Sequence, residues 1–238
     1  MANFYKGENP ATAVVLSVVI LLVFLVAPCC RADECSHLQM SLLPNVQLVS
    51  EKSSICGARF DFFWGQNRAV EGFDLGIING AESMNGVQIG VINLLASKDL
   101  IDSWGFQFAV INDAIAYDAQ YTGAQVSLFY NSNGGDVHGL QAALFLDRAR
   151  DMRGVQIAFA NSAQDMRGVQ IGFANSAQDM HGVQVALWNY TLGSCNGLEI
   201  GLFNSCQTLH GVQIGLVNLV TSRQSSFYYF TPLINVGF

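Results

Sequence analysis

The sequence predicts an all-β repeat protein. Three observations carry this. A 14-residue unit recurs along the chain, apolar residues alternate with small or amide residues inside it, and 51% of the 238 residues are hydrophobic while only 12% are charged. Low charge with high hydrophobicity excludes a disordered chain. A formal net charge of −7 argues against a nucleic-acid partner, which needs a basic face to neutralise phosphates.

Residues 1–32 read as an export signal. Ala11 to Cys30 is almost unbroken apolar sequence, preceded by Lys6 and followed by Cys30-Arg31-Ala32, with small residues at the −3 and −1 positions of a cut after Ala32. The competing reading is an uncleaved anchor, because ~20 apolar residues can span a bilayer. Lipid attachment at Cys29 or Cys30 fits poorly, since Pro28 directly precedes them.

Residues 33–56 form an N-terminal segment with Cys35 and Cys56, which can pair in an exported chain. Cys195 and Cys206 flank one predicted strand. If Gly197–Asn204 is fully extended, they lie at opposite ends of it and cannot meet.

Residues 57–238 form the β-repeat domain. After a degenerate unit from Gly57 to Trp64, units start at Gly72, Gly86, Gly105, Gly123, Gly139, Gly154, Gly168, Gly182, Gly197 and Gly211. The second, fourth and sixth positions are apolar in all ten, as in Val169/Ile171/Phe173. The third is Gln in eight of ten, with Asp74 and Glu199 as exceptions, and the fifth is always Gly, Ala or Ser. A period of two places alternate side chains on opposite faces of a strand. Asn fills the eighth position in eight units, Tyr130 and Leu146 standing there in the other two. Asn tolerates left-handed backbone, so it marks the expected turn. Each unit then reads as one strand and one tight turn.

The expected architecture is an antiparallel meander of about twelve short strands closing into a barrel, with apolar positions facing lipid and Gln facing the lumen. The last strand, 228–238, supports it by alternating Tyr228, Phe230, Pro232, Ile234, Val236 and the terminal Phe238. The alternative is a β-solenoid of parallel strands, with apolar positions filling a dry interior, Asn stacking at corners and Gln forming an outer ladder.

The recurrent Gly-Val-Gln-Ile-Gly-x-x-Asn, the segment Val70–Asn79, the run Cys56–Arg68 and the closing Pro232–Phe238 resemble the bacterial surface-repeat family first named from Leptospira proteins. The resemblance spans about residues 41–238. It implies an exported bacterial surface protein and supplies no catalytic residues.

No catalytic, cofactor-binding or metal site is expected. His138, His181 and His210 share the position before a repeat Gly with Arg153, Arg167, Asn85 and Thr122, a variety that marks a polar strand edge. Asp151, Asp165 and Asp179 recur in one turn position and read as solvated turn residues. Gly-x-Gln-x-Gly lies in a strand, so its glycines cradle no phosphate. Trp64, Trp104 and Trp188, with Phe227–Phe230, suit a membrane-interface girdle or packing, and the Gln row suits pairing with itself. The expected role is that of a non-enzymatic outer-membrane or cell-surface barrel in contact with outer-membrane lipid. The alternative is a soluble or surface-attached solenoid that binds a partner or self-assembles.

Overall fold

The computed structural model of the chain describes residues 35–96, 102–115, 119–221 and 228–238. The expected leader, 1–32, and the side chains of Phe227 and Tyr228 lie outside the described residues.

The architecture is a parallel β-solenoid of about twelve coils, not a barrel. Successive repeats stack with like residues in register: Gly154 on Gly168, Gly168 on Gly182, and so on through Gly197 and Gly211. The reason lies in the side chains. In a parallel in-register stack each Gln meets a Gln and each Asn an Asn, so their amides form continuous hydrogen-bonded rows.

One repeat is one coil, and it is not the single strand and turn expected from the sequence. The strand Ala160–Ile171 illustrates it. Its first leg holds Ala160–Ala163, and pairing with the next coil is interrupted at Gln164, where the chain bends. The second leg runs from Asp165 to Ile171, and Gly172-Phe173 turns the chain into the next strand, Ala174–Val185. The turn therefore comes at the fifth and sixth positions, ahead of Asn175, which points inward from the following leg.

A glycine stands in the middle of the second leg in each of the ten repeats. Gly168 has φ +140°, and a Cβ there would lie 2.0 Å from the carbonyl oxygen of Gly154. Both constraints exclude any other residue, and all ten repeat glycines share the positive φ.

The interior inverts the sidedness expected of a solenoid. The Gln and Asn rows are buried, whereas Ile171 and Phe173 stay 42% and 38% exposed on the outside. Apolar-out and amide-in is the sidedness expected of the barrel, realised here in the other topology. The rest of the interior is filled by Met152, Met166 and Met180 with Ala149, Ala163 and Ala177.

Two irregular coils also differ from expectation. Asn131 and Asp147 take the inward place assigned by spacing to Tyr130 and Leu146. They align with Asn112 and Asn161, and a shift between Ala109 and Ile111 absorbs the extra residue.

Both ends are closed. Cys35–Leu43 starts the stack beside Ser54–Ile89, tied to it by the Cys35–Cys56 disulfide. At the other end Tyr228–Gly237 packs antiparallel on Thr208–Thr221, so the strand expected at a barrel seam is an end cap.

Candidate functional site: an apolar flank over paired amides

The flank is built from the inside out. Along the third position, each carboxamide donates to the one before it: Gln107 to Gln88 at 2.7 Å, Gln125 to Gln107 at 2.7 Å, Gln170 to Gln156 at 2.7 Å and Gln184 to Gln170 at 2.6 Å. The Gln row thus pairs with itself, and every side chain in it is buried. The Asn row runs with the opposite polarity, each donating to the next: Asn79 to Asn93 at 2.9 Å, Asn161 to Asn175 at 2.8 Å and Asn204 to Asn218 at 2.8 Å. The same Asn amides also hold corner carbonyls, as Asn161 does that of Ile171 at 2.9 Å. This explains the small fifth position. A Cβ on Gly172 would lie 2.4 Å from the Ala158 carbonyl oxygen and 2.8 Å from the Asn161 amide nitrogen, so the corner presses on this position and only Gly, Ala and Ser occur there.

A row of aligned donors needs a terminator at each end. At the N-terminal end Gln88 donates to Asp74, whose carboxylate is clasped by Arg59 through two hydrogen bonds of 2.8 and 2.6 Å. Arg59 also donates to the Gly80 carbonyl at 2.8 Å and lies 3.1 Å from Asp61. Burial pushes this guanidinium down, and Asp74 and Asp61 more than reverse it. Burial also pushes Asp61 up to about 6, against the pull of Arg59. At the C-terminal end Asn235 of the cap donates to Gln213 at 2.9 Å.

Two acids replace amides inside the rows. Asp147 sits in the Asn row, accepts from Asn131 at 2.8 Å, and is pushed up to about 7 by burial, against its hydrogen bonds from Asn131 and the Ile157 N–H. Its register neighbour Asn161 has a buried Oδ1 without a hydrogen-bond partner, and Asp147 has a proton to donate only in its neutral form. Glu199 sits in the Gln row, accepts from Gln213 at 2.7 Å and Thr191 at 2.9 Å, and is raised by burial.

Cys195 and Cys206 are both buried and free. The chain turns at Gly201 between them, so they meet across one coil, contrary to the extended-strand expectation. Their mutual hydrogen bond and burial raise the Cys195 thiol.

Outside this interior, the second, fourth and sixth positions form one apolar flank along the corner at Gly172. Phe159 and Leu216 are 54% and 58% exposed on it. Aromatic rings stack between neighbouring coils, Phe159 on Phe173 at 4.7 Å and Trp188 on Phe203 at 5.0 Å. Trp188, at the seventh position, is exposed just past the corner and tilts against Phe173 of the flank at 6.3 Å, while Trp104 is exposed one position before a repeat glycine. The opposite edge is polar. Asp136, Asp151, Asp165 and Asp179 align there in register, and Arg150 pairs with Asp136 at 2.7 Å. Burial and the neighbouring Asp136 and Asp165 raise Asp151. His181 and His210 are exposed beside this edge, as a polar strand edge requires. No group of three or more potential metal-ligating side chains occurs among the described residues.

The barrel reading placed the apolar positions outward and Gln inward, as found, but in the wrong topology, and the solenoid alternative had the topology with the sides reversed. The available signal was size variation: the third position holds almost only Gln, as a close-packed interior demands, whereas the outer positions range from Val to Phe. No family model matches the chain, and neither a curated protein nor a solved structure matches it.

Proposed function

We propose that this chain is a non-enzymatic, exported bacterial surface protein, a surface-attached β-solenoid that binds a partner through its apolar flank. The observation that carries the reading is the flank itself. Large side chains such as Phe129, Phe145, Phe159, Phe173 and Leu187 are exposed in consecutive coils, far beyond the scattered apolar residues of an ordinary surface. The interior beneath them is occupied by self-paired amides. Among the titratable groups inside it, Asp147 and Glu199 face amides of the rows, and Arg59 with Asp74 and Asp61 closes the N-terminal end of the Gln row. The net charge of −7 disfavours nucleic acid as the partner. The leader and the Gly-Val-Gln-Ile-Gly-x-x-Asn motif support export and a place at the outer membrane or cell surface.

Fractionation of a bacterium expressing the full chain tests this. The chain is expected at the cell surface, accessible to added protease and retained on intact cells. Recovery of the chain in the cytosol overturns the reading.

A further inference from the structure

Resting on that reading, we propose that the partner of the apolar flank is a single leaflet of a phospholipid bilayer, in which the solenoid lies along its length without crossing. Four features of the flank fit this occupant.

The first is backbone satisfaction. A surface placed in hydrocarbon must pair its own polar backbone groups. Here the corner N–H groups are taken by the neighbouring coil: Gly172 donates to Val185 at 3.0 Å, Phe173 to Phe159 at 2.9 Å and Phe203 to Leu187 at 2.9 Å. The carbonyls of Ile171, Val185, Ile200 and Ile214 each receive an inward Asn amide at 2.9 to 3.2 Å.

The second is charge complementarity. Crossing one leg from the polar edge to the flank, the order is Asp165, Arg167, Val169, Ile171 and Phe173. The same order recurs one coil earlier from Asp151 through Arg153 to Phe159. Arg153 and Arg167 are exposed and stacked in register, one outward position short of the apolar zone. Arg148 is exposed on the other leg, stacked on Ser162. The cations therefore stand at headgroup depth, and the carboxylates stand farther out in water.

The third is depth. From Val169 to Gly172 is three residues, about 10 Å at ~3.3 Å per residue. Elements that lie in a membrane interface bury their apolar face by about 5–10 Å.

The fourth is uniformity. The long insertions follow Leu95 and Ala114, which align with each other on the first leg, away from the corner. From the repeat glycine to the inward amide, the corner keeps the same length in eight of the ten repeats, and Asn131 and Asp147 add one residue each. At ~4.8 Å per coil, the stack from Gly72 to Gly211 gives a continuous apolar edge about 45 Å long.

The test uses the full chain with Trp64→Phe and Trp104→Phe, leaving Trp188 as the reporter. It is mixed with phosphatidylcholine–phosphatidylglycerol vesicles whose acyl chains are brominated near the headgroup. Trp188 emission is expected to shift to the blue and to lose most of its intensity. A second chain carrying Gln178→Trp, with the three native Trp changed to Phe, places the reporter on the polar edge and is expected to keep its emission. Arg153→Gln with Arg167→Gln is expected to weaken vesicle binding at low salt several-fold.

Flotation of the chain with unquenched Trp188 means that another segment tethers it, and overturns the lipid inference while leaving a protein partner for the flank. Trp188 shielded in a sedimenting dimer without vesicles identifies a second copy as the occupant and likewise overturns it. Failure of export in the fractionation experiment overturns the function instead, whatever Trp188 reports.

Discussion

Replacing Asp147 by Asn is expected to stabilise the solenoid at neutral pH and to remove much of its pH dependence. Asp147 is fully buried in a row of amides, and burial raises its carboxyl to about 7 from an ordinary 3.8. A carboxyl raised in the folded state binds its proton more tightly there than in the unfolded chain. Its contribution is therefore complete below about pH 4 and is lost as pH rises through about 7. A shift of about three units at 1.36 kcal/mol each corresponds to roughly 4 kcal/mol. The substituted carboxamide would carry no charge, keep the bond from Asn131 and bring a donor for the orphaned Asn161 Oδ1, while the Ile157 N–H loses its acceptor, a cost of ~1 kcal/mol. The assay is urea denaturation of wild type and Asp147→Asn at pH 4, 6 and 8. Wild type should lose several kcal/mol across that range and the variant much less. Glu199, also raised by burial, and Asp61, raised to about 6, leave a smaller slope of the same sign. If the variant is less stable than wild type at pH 8, or wild type gains stability with rising pH, the reasoning is wrong.

Three further substitutions probe the same architecture. Gln170→Leu strips partners from the buried amides of Gln156 and Gln184 and should cost ~1–3 kcal/mol for each group left unpaired, whereas Ile171→Gln on the exposed flank should stay within about 0.5 kcal/mol in lipid-free solution. Thermal melting of the pair checks this. Arg59→Met leaves Asp74 and Asp61 buried without their cation and should cost about 3–5 kcal/mol, read as a lowered urea midpoint. Gly168→Ala puts a Cβ against the Gly154 carbonyl at φ +140° and should cost more than ~1 kcal/mol. Gly172→Ala, at ordinary φ but with a Cβ 2.4 Å from the Ala158 carbonyl oxygen, should also lower the melting temperature, by less than Gly168→Ala, because the neighbouring corners accommodate Ala158 and Ala186.

The repeat, its period of two and the all-β class were legible in the sequence because alternation is a local property of a strand. Which face turns inward was not. Alternation says that Val169, Ile171 and Phe173 share a side, and it is silent on whether that side meets the core or the surroundings. The barrel reading had the apolar side outward, and the solenoid alternative, which took apolar to mean buried, had it inward; the latter failed because the interior is held by amide pairs that are worth forming only when like stacks on like. Topology was ambiguous for the same reason, since parallel and antiparallel neighbours need the same strand pattern. The Cys35–Cys56 pairing was accessible from position alone. The meeting of Cys195 and Cys206 was hidden because the turn at Gly201 falls inside what alternation reads as one strand. Asn131 and Asp147 were displaced by single-residue insertions that fixed spacing cannot see.

The claim that everything else depends on is that the amide rows are sealed inside the coils. Side-chain amide hydrogen exchange, read by NMR on Gln- and Asn-labelled protein, addresses it directly. The carboxamides of Gln125, Gln170, Asn175 and Asn204 should exchange orders of magnitude more slowly than those of the exposed Gln164 and Gln178. Uniform exchange of all of them at the rate of free glutamine would contradict the account.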